Sequence, residues 1–210
     1  MSVVLEISDF VQKGRAKNVK ELVCQALDNG VTAKEILNDG LIAGMMAIGE
    51  KFKKNEVYVP EVLIAARAMN MGVNILKPYL AGEGVEPVGK AVICTVKGDL
   101  HDIGKNLVKM MLEGVGINCI DLGTDVSAEQ VVEAVKENDV QIVALSSLLT
   151  TTMEYHKDVI DALTEAGFRD KVKVMVGGAP VSEDFAKQVG ADAYASDAAT
   201  AADVALSFFK

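Results

Sequence analysis

The chain has no tryptophan, and aromatic residues make up only 5% of it. A surface that stacks bases needs aromatic platforms, which argues against single-stranded nucleic acid as a ligand. Positive charge is also short: 21 Lys and Arg stand against 30 Asp and Glu, for a net charge of −9. Such a surface repels phosphate backbones and anionic lipid, so neither nucleic acid nor a membrane is expected as a partner. Cysteine is limited to Cys24, Cys94 and Cys119. The number is odd and no C-x-x-C spacing occurs, which argues against a disulfide framework or a cysteine zinc site. Cys94 and Cys119 lie in apolar runs and are expected to be buried thiols. No apolar run reaches the roughly 18 residues of a membrane span. Asp9 and Lys13 interrupt the early apolar run, against a signal peptide. The expected location is the cytoplasm.

Half of the 210 residues are hydrophobic, enough for one large domain or two small ones. To about Leu80 the periodicity is helical throughout. Val3, Val4, Ile7, Phe10 and Val11 mark a first helix. Asn18 with Glu21 reads as the start of a second, carrying Val19, Leu22, Val23, Ala26 and Leu27. Thr32 with Glu35 fits a capping box for a third, in which Gly40, Gly44 and Gly49 suggest close helix packing. Pro60 suits a first turn, and Val62, Leu63, Ala66, Met69, Val73 and Leu76 form the last face, with Pro78 expected to stop it. Four main helices in a bundle are expected over residues 1–80. Residues 81–88 read as a linker, from Ala81-Gly82-Glu83-Gly84-Val85-Glu86-Pro87.

Residues 89–210 alternate apolar, β-prone runs with helical patterns. Strands are expected at Ala91 to Val96, Ile117 to Leu122, Val140 to Ser146, Val172 to Val176 and Ala193-Tyr194, with one helix after each. That implies an α/β fold with a parallel sheet covered on both faces. Five strands suggest the flavodoxin-like, Rossmann-like order 2-1-3-4-5.

Chemistry concentrates after the first strand, in Gly98-Asp99-Leu100-His101-Asp102-Ile103-Gly104-Lys105-Asn106. In an open α/β sheet, ligands bind at the carboxyl ends of the strands. His101 is one of two histidines, with carboxylates beside it. An imidazole backed by a carboxylate is how proteins present a nitrogen ligand to a metal. Two further stretches fall at strand ends: Ser146-Ser147-Leu148-Leu149-Thr150 and Gly177-Gly178-Ala179. Ser146 and Thr150 are expected to point the same way, and the glycine pair leaves room for a bulky ligand. Blander roles compete. Asp99 suits a helix N-cap, Met45, Met46, Met69 and Met71 suit a core, and His156 suits a helix surface.

The ordered set D-x-H-x-x-G (Asp99, His101, Gly104), S-x-L (Ser146, Leu148) and G-G (Gly177, Gly178) resembles the cobalamin-binding domain of methyltransferases, including that of methionine synthase. Gly49-Glu50-x-Phe52, Tyr58-Val59-Pro60-Glu61-Val62 and Ala66-Arg67-Ala68-Met69 resemble that family's helical cap. Size and layout are similar to the stand-alone corrinoid proteins of methanol, methylamine and aryl methyl ether systems.

The resemblance implies cobalamin bound base-off, with His101 replacing dimethylbenzimidazole as lower axial ligand to cobalt. Asp99 would hold the other ring nitrogen, and Thr152 would extend the relay where better-studied members carry Ser. Gly98, Leu100, Asp102, Ile103 and Gly104 would border the ligand. Ser146, Leu148, Thr150, Gly177, Gly178, Tyr194 and Ala198 would line the slot for the nucleotide tail. Phe52 and Val59 match cap residues that shield the methyl-bearing face. Implied partners are a donor methyltransferase, an acceptor methyltransferase using tetrahydrofolate or a coenzyme thiol, and a reductive activating protein. The carrier would not be catalytic alone. Alternatives in the same fold are a cobalamin-dependent sensor and the small subunit of a mutase. The sensor's Trp-x-x-x-Glu-His pattern is missing here. A phospho-acceptor receiver would need an acidic residue where Ser146 stands.

Overall fold

The computed structural model describes residues 2–83 and 86–210. They divide into two compact units, Met1–Pro87 with Gly114–Gly116, and Val88–Glu113 with Ile117–Lys210.

The first unit is helical: α1 (Val3–Gln12), α2 (Ala16–Asp28), a continuous run of α3 (Ala33–Glu35), a π-helical stretch (Ile36–Ile42) and α4 (Ala43–Lys53), then α5 (Val59–Glu83). Helix α2 starts two residues ahead of Asn18, behind Arg15, with no side-chain cap. Thr32 caps α3 as its spacing suggests, accepting the Glu35 N–H at 3.2 Å. The apolar faces meet in a core holding Ile7, Val11, Val19, Val23, Ile36, Leu41, Met45, Ile48, Val62 and Leu76. Two of the glycines mark close approach to α1. A Cβ on Gly40 would lie 3.1 Å from Ile7 Cγ2, and one on Gly44 would lie 2.8 Å from both Ser8 O and Val11 Cβ. Met45 and Met69 are core residues, but Met46 and Met71 are exposed and correct the core expectation for them.

Pro78 does not end α5, which continues to Glu83. Proline costs a helix one N–H bond, but its fixed φ is itself helical, so the remaining turns can carry on past it. The first part of the expected linker is therefore helix. Its Gly84 and Val85 lie outside the described residues.

The second unit contains β1 (Gly89–Val96), α6 (Ile103–Gly114), β2 (Ile117–Val126), α7 (Ala128–Asn138), β3 (Ile142–Ser146), α8 (Tyr155–Glu165), β4 (Lys173–Gly177), α9 (Glu183–Val189), β5 (Ala193–Ala195) and α10 (Ala198–Ser207). The five strands are parallel in the order β2-β1-β3-β4-β5. Ala91 through Val96 are all buried, as a strand covered on both faces requires. On one face Val92, Cys94, Val96, Val143, Leu145, Val174 and Val176 pack with Val131, Val135, Val159, Ile160, Leu163, Ala186 and Val189 from α7, α8 and α9. Helix α7 opens with a full capping box, Ser127 with Gln130.

Cys94 is buried, Cys119 is half-buried, and neither is in a disulfide. Burial pushes both thiols up to about 12, so they stay protonated and inert. Among the described residues, no helix is long and apolar enough to cross a membrane.

His156 is a correction. It is completely buried on α8, not a surface residue. It shares the inner face of that helix with Val159, Ile160 and Leu163.

Candidate functional site

The carboxyl ends of β1, β3 and β4 come together, since Thr95 pairs with Ser146 and Ser146 with Gly177. Between β1 and α6 runs the loop carrying Asp99 and His101. Asp99 is completely buried, whereas the His101 side chain is 52% exposed. Asp99 does not cap α6. That position falls to Asp102, whose carbonyl accepts the Asn106 N–H at 2.8 Å and whose Oδ2 accepts from Asn106 Nδ2 at 3.0 Å.

Each Asp99 oxygen has its own donors. Oδ1 accepts from His101 Nδ1 at 2.7 Å and from the His101 backbone N–H at 3.1 Å. Oδ2 accepts from Leu148 N at 2.7 Å, Leu149 N at 3.1 Å and Thr152 Oγ1 at 2.8 Å. Burial by itself would raise the pKa. The bonds from Leu148, His101 and Thr152 outweigh it and hold Asp99 well below the ordinary carboxylate range. An ionised carboxylate only accepts, so the proton of the neutral imidazole sits on Nδ1 and Nε2 keeps its lone pair. The site therefore holds a buried charge that fixes a half-exposed imidazole in one tautomer.

Beside the exposed Asp102, apolar side chains are also exposed in the loops that carry His101 and the Asp99-binding amides. Leu100 is 73% exposed, Ile103 80%, Leu148 46% and Leu149 41%. Gly104, in the first turn of α6, has nothing within 4 Å of where a Cβ would stand. Gly178 corrects the expectation of room for a ligand: with φ +125° and a would-be Cβ 1.8 Å from Ser147 O, the glycine is required by the close approach of the protein's own backbone. Ser146 is half-buried at the end of β3, and Thr152 is buried in the 3-10 turn Thr150–Thr152. Strand alternation ends at Ser146, so it does not align Ser146 with Thr150, which is exposed on that turn. Tyr194 is half-buried on β5 and Ala198 is buried at the start of α10. In the other unit, Phe52 and Val59 are half-buried on α4 and at the start of α5. Among the described residues, no three His, Cys, Asp or Glu converge as a metal cluster. His101 thus offers one nitrogen, which suits a metal that brings its other ligands with it.

Several further residues hold the loop, in roles that the sequence pattern does not assign. Thr95, completely buried, donates its hydroxyl to the His101 carbonyl at 2.8 Å. Asp125 accepts the Gly98 N–H on Oδ1 at 2.7 Å, and its own N–H donates to Asp99 O at 3.0 Å. It does so from a left-handed backbone, φ 56°, inside the second register shift between β1 and β2, between Gly123 and Val126. Such a conformation costs a non-glycine residue about 1 kcal/mol and persists where the surroundings hold it. Buried Lys105 ties the first turns of α6 to β2 through Asp121 Oδ1 at 2.6 Å, and to Asn106 Oδ1 at 2.8 Å. Burial would raise the Asp121 pKa, but the bonds from Lys105 and Gly123 N lower it overall. Ser147, beside the motif residue Ser146, is buried and bonded to His156.

Residues 89–206 match the family model described as B12 binding domain, and residues 4–77 match a second model of the same description. The chain is 39% identical over 208 residues to a corrinoid protein of Desulfitobacterium hafniense, covering 98% of this chain and 96% of that one. It is 42% identical over 194 residues to trimethylamine corrinoid protein 1 of Methanosarcina acetivorans, covering 91% and 88%. Among solved structures, the methanol:cobalamin methyltransferase complex of Methanosarcina barkeri aligns with a TM-score of 0.87 and 32% identity, over 99% of this chain and 79% of that chain. With both regions matched and relatives alike along nearly the whole length, this chain belongs to the cobalamin-binding corrinoid proteins of methyltransferase systems.

Proposed function

We propose that the chain carries a methyl group on cobalamin between two methyltransferases, holding the cofactor base-off with His101 Nε2 as lower axial ligand. The observation that supports this best is the Asp99–His101 pair, a buried carboxylate 2.7 Å from Nδ1 of a half-exposed imidazole. The donor set would suit cobalamin, because His101 offers a single imidazole nitrogen and the corrin would bring the metal's other ligands with it. Exposed Leu100, Ile103, Leu148 and Leu149 suit the apolar edge of such a ring, and the open space at Gly104 leaves it clearance.

Bound cobalamin supplies a cobalt centre that takes up a methyl group and gives it up. The protein's share is ligation and proton control. Asp99 keeps the proton on Nδ1, which makes Nε2 the better donor. Thr152 and the Leu148 and Leu149 N–H groups keep Asp99 ionised without water. Ser146, Leu148, Thr150, Gly177, Gly178, Tyr194 and Ala198 line the nucleotide-tail slot on this reading. Residues 1–80 serve as the cap, contributing Phe52 and Val59, residues 81–88, helical as far as Glu83, as the connection and residues 89–210 as the cobalamin-binding domain. The partners are a donor-specific methyltransferase, an acceptor methyltransferase delivering to tetrahydrofolate or a coenzyme thiol, and a reductive activating protein, all in the cytoplasm.

The test is a methyl balance. Reduced holo-protein is treated with radiolabelled iodomethane and desalted. One label per cobalamin should stay with the protein and pass to the thiol or to tetrahydrofolate only when an acceptor methyltransferase is added. Failure to retain label, or equal transfer without the second enzyme, would contradict the carrier role.

A further inference from the structure

Given the His101 ligation proposed above, we infer that His156 is a positioning residue for the Asp99–His101 pair, acting through the hydroxyl of Ser147. His156 Nε2 lies 2.9 Å from Ser147 Oγ, and both side chains are buried. The bond clasps the two ends of a loop. From inside that loop come the three donors to Asp99 Oδ2, namely Leu148 N, Leu149 N and Thr152 Oγ1. Ser147 is also fixed by its backbone. Its N–H donates to Gly177 O at 3.2 Å, and its carbonyl occupies space that only a glycine at 178 leaves free. The His156 bond adds a side-chain anchor at the residue immediately before the two amides that face Asp99.

Histidine is a poor choice here if the position serves stability alone. Nδ1 of His156 is buried with no hydrogen-bond partner. An apolar side chain would fill the space between Val159, Ile160 and Phe185 without that loss. The ring packs edge-on to Phe185 with centroids 5.7 Å apart. Burial lowers its pKa to about 4, partly countered by the charge of Asp99, so the ring is neutral near pH 7. Its single N–H on Nε2 donates to Ser147 Oγ and leaves an unpaired lone pair at Nδ1, a smaller loss than a buried, unpaired N–H. What the histidine gains is direction, a bond that sets where the Asp99-binding amides stand.

The test uses the full chain reconstituted with cobalamin. Four proteins are compared: wild type, Ser147→Ala, His156→Leu and His156→Gln, whose amide nitrogen falls near the Nε2 position. Readouts are cobalamin uptake, thermal midpoint and the nitrogen splitting of the cobalt(II) paramagnetic resonance signal, which reports the fraction ligated by His101. Removing a group bonded directly to a metal ligand typically costs about 10–100-fold in metal affinity, and Ser147 and His156 stand further back, so about 10-fold is expected here. Ser147→Ala and His156→Leu should each lose about that much in the ligated-to-unligated ratio, and His156→Gln should stay within about 2-fold of wild type. If Ser147→Ala and His156→Leu lower the thermal midpoint yet keep the wild-type splitting, His156 is structural only and the inference fails. It fails equally if His156→Gln loses as much as His156→Leu. Should His156→Leu not fold, Ser147→Ala against His156→Gln decides, since neither leaves a cavity larger than one hydroxyl. A wild-type protein that shows no nitrogen splitting would instead overturn the ligation itself.

Discussion

Replacing Asp99 by Asn changes almost no volume and tests the geometry sharply. The Asn amide has one acceptor end and one donor end, while the site presents donors to both. With its NH2 at the Oδ2 position, it faces the Leu148 and Leu149 N–H groups, and only the Thr152 hydroxyl can turn away, to Leu149 O at 2.9 Å. Two part-buried donors are then unpaired, at up to about 1–3 kcal/mol each. With its NH2 at the Oδ1 position, it leaves one donor unpaired, the His101 backbone N–H. The second orientation costs half as much and is the one expected. It also makes His101 Nδ1 an acceptor, which moves the ring proton to Nε2 and removes the lone pair meant for cobalt. Asp99→Asn should therefore fold, with stability lowered by about 1–3 kcal/mol, or roughly 2–4 °C in thermal midpoint per kcal/mol. It should bind cobalamin with little or no nitrogen splitting. The pH dependence has a definite sign. The folded pKa of Asp99 is depressed, so its stabilisation is present above the unfolded value of about 4 and is lost as pH falls toward the folded value. The stability gap between wild type and Asp99→Asn should narrow below about pH 4. A variant with wild-type splitting and a thermal midpoint within 1 °C would refute the reasoning.

Three other substitutions have separable outcomes. Gly178→Ala puts a Cβ 1.8 Å from Ser147 O at φ +125°, so it should cost at least about 3 kcal/mol and lower the yield of folded protein, read by thermal melt. Gly104→Ala meets nothing within 4 Å and lies in α6, so it should stabilise the cofactor-free protein by about 0.5–1 kcal/mol while weakening cobalamin affinity in a titration. Asp125→Ala loses the Gly98 clasp and still carries the left-handed strain, whereas Asp125→Asn keeps both an acceptor and tolerance for φ 56°. The bond is exposed, so the alanine variant should lose only about 0.5–1.5 kcal/mol by denaturant melt, and the asparagine variant less than half of that.

Legibility followed locality. Strand order and the gathering of Asp99, Ser146 and Gly177 at one rim were readable because parallel β/α units leave few topologies. Asp99 and His101 stood out because polar residues crowd one short loop after an apolar strand. What could not be read was held by partners distant in sequence. Asp125 reaches Gly98 across 27 positions, and its role arises from a register shift between β1 and β2 that no local pattern announces. The π-helical stretch over Ile36–Ile42 likewise has no local pattern that announces it, and within it Gly40 stands against Ile7. His156 is different, because its signal was present. It precedes Val159, Ile160 and Leu163 by three, four and seven positions, the spacing of one helical face, and polarity alone had argued for solvent. Pro78 misled in the opposite way, as a residue known for ending helices that here lies inside one.

The most direct test of the central claim is the paramagnetic resonance spectrum of the cobalt(II) form of the reconstituted protein, wild type beside His101→Ala. A base-off signal with nitrogen splitting that vanishes in the variant is the predicted result, with Nε2 of His101 as its source. A splitting that survives the substitution, or no cobalamin uptake by the wild type, would contradict it.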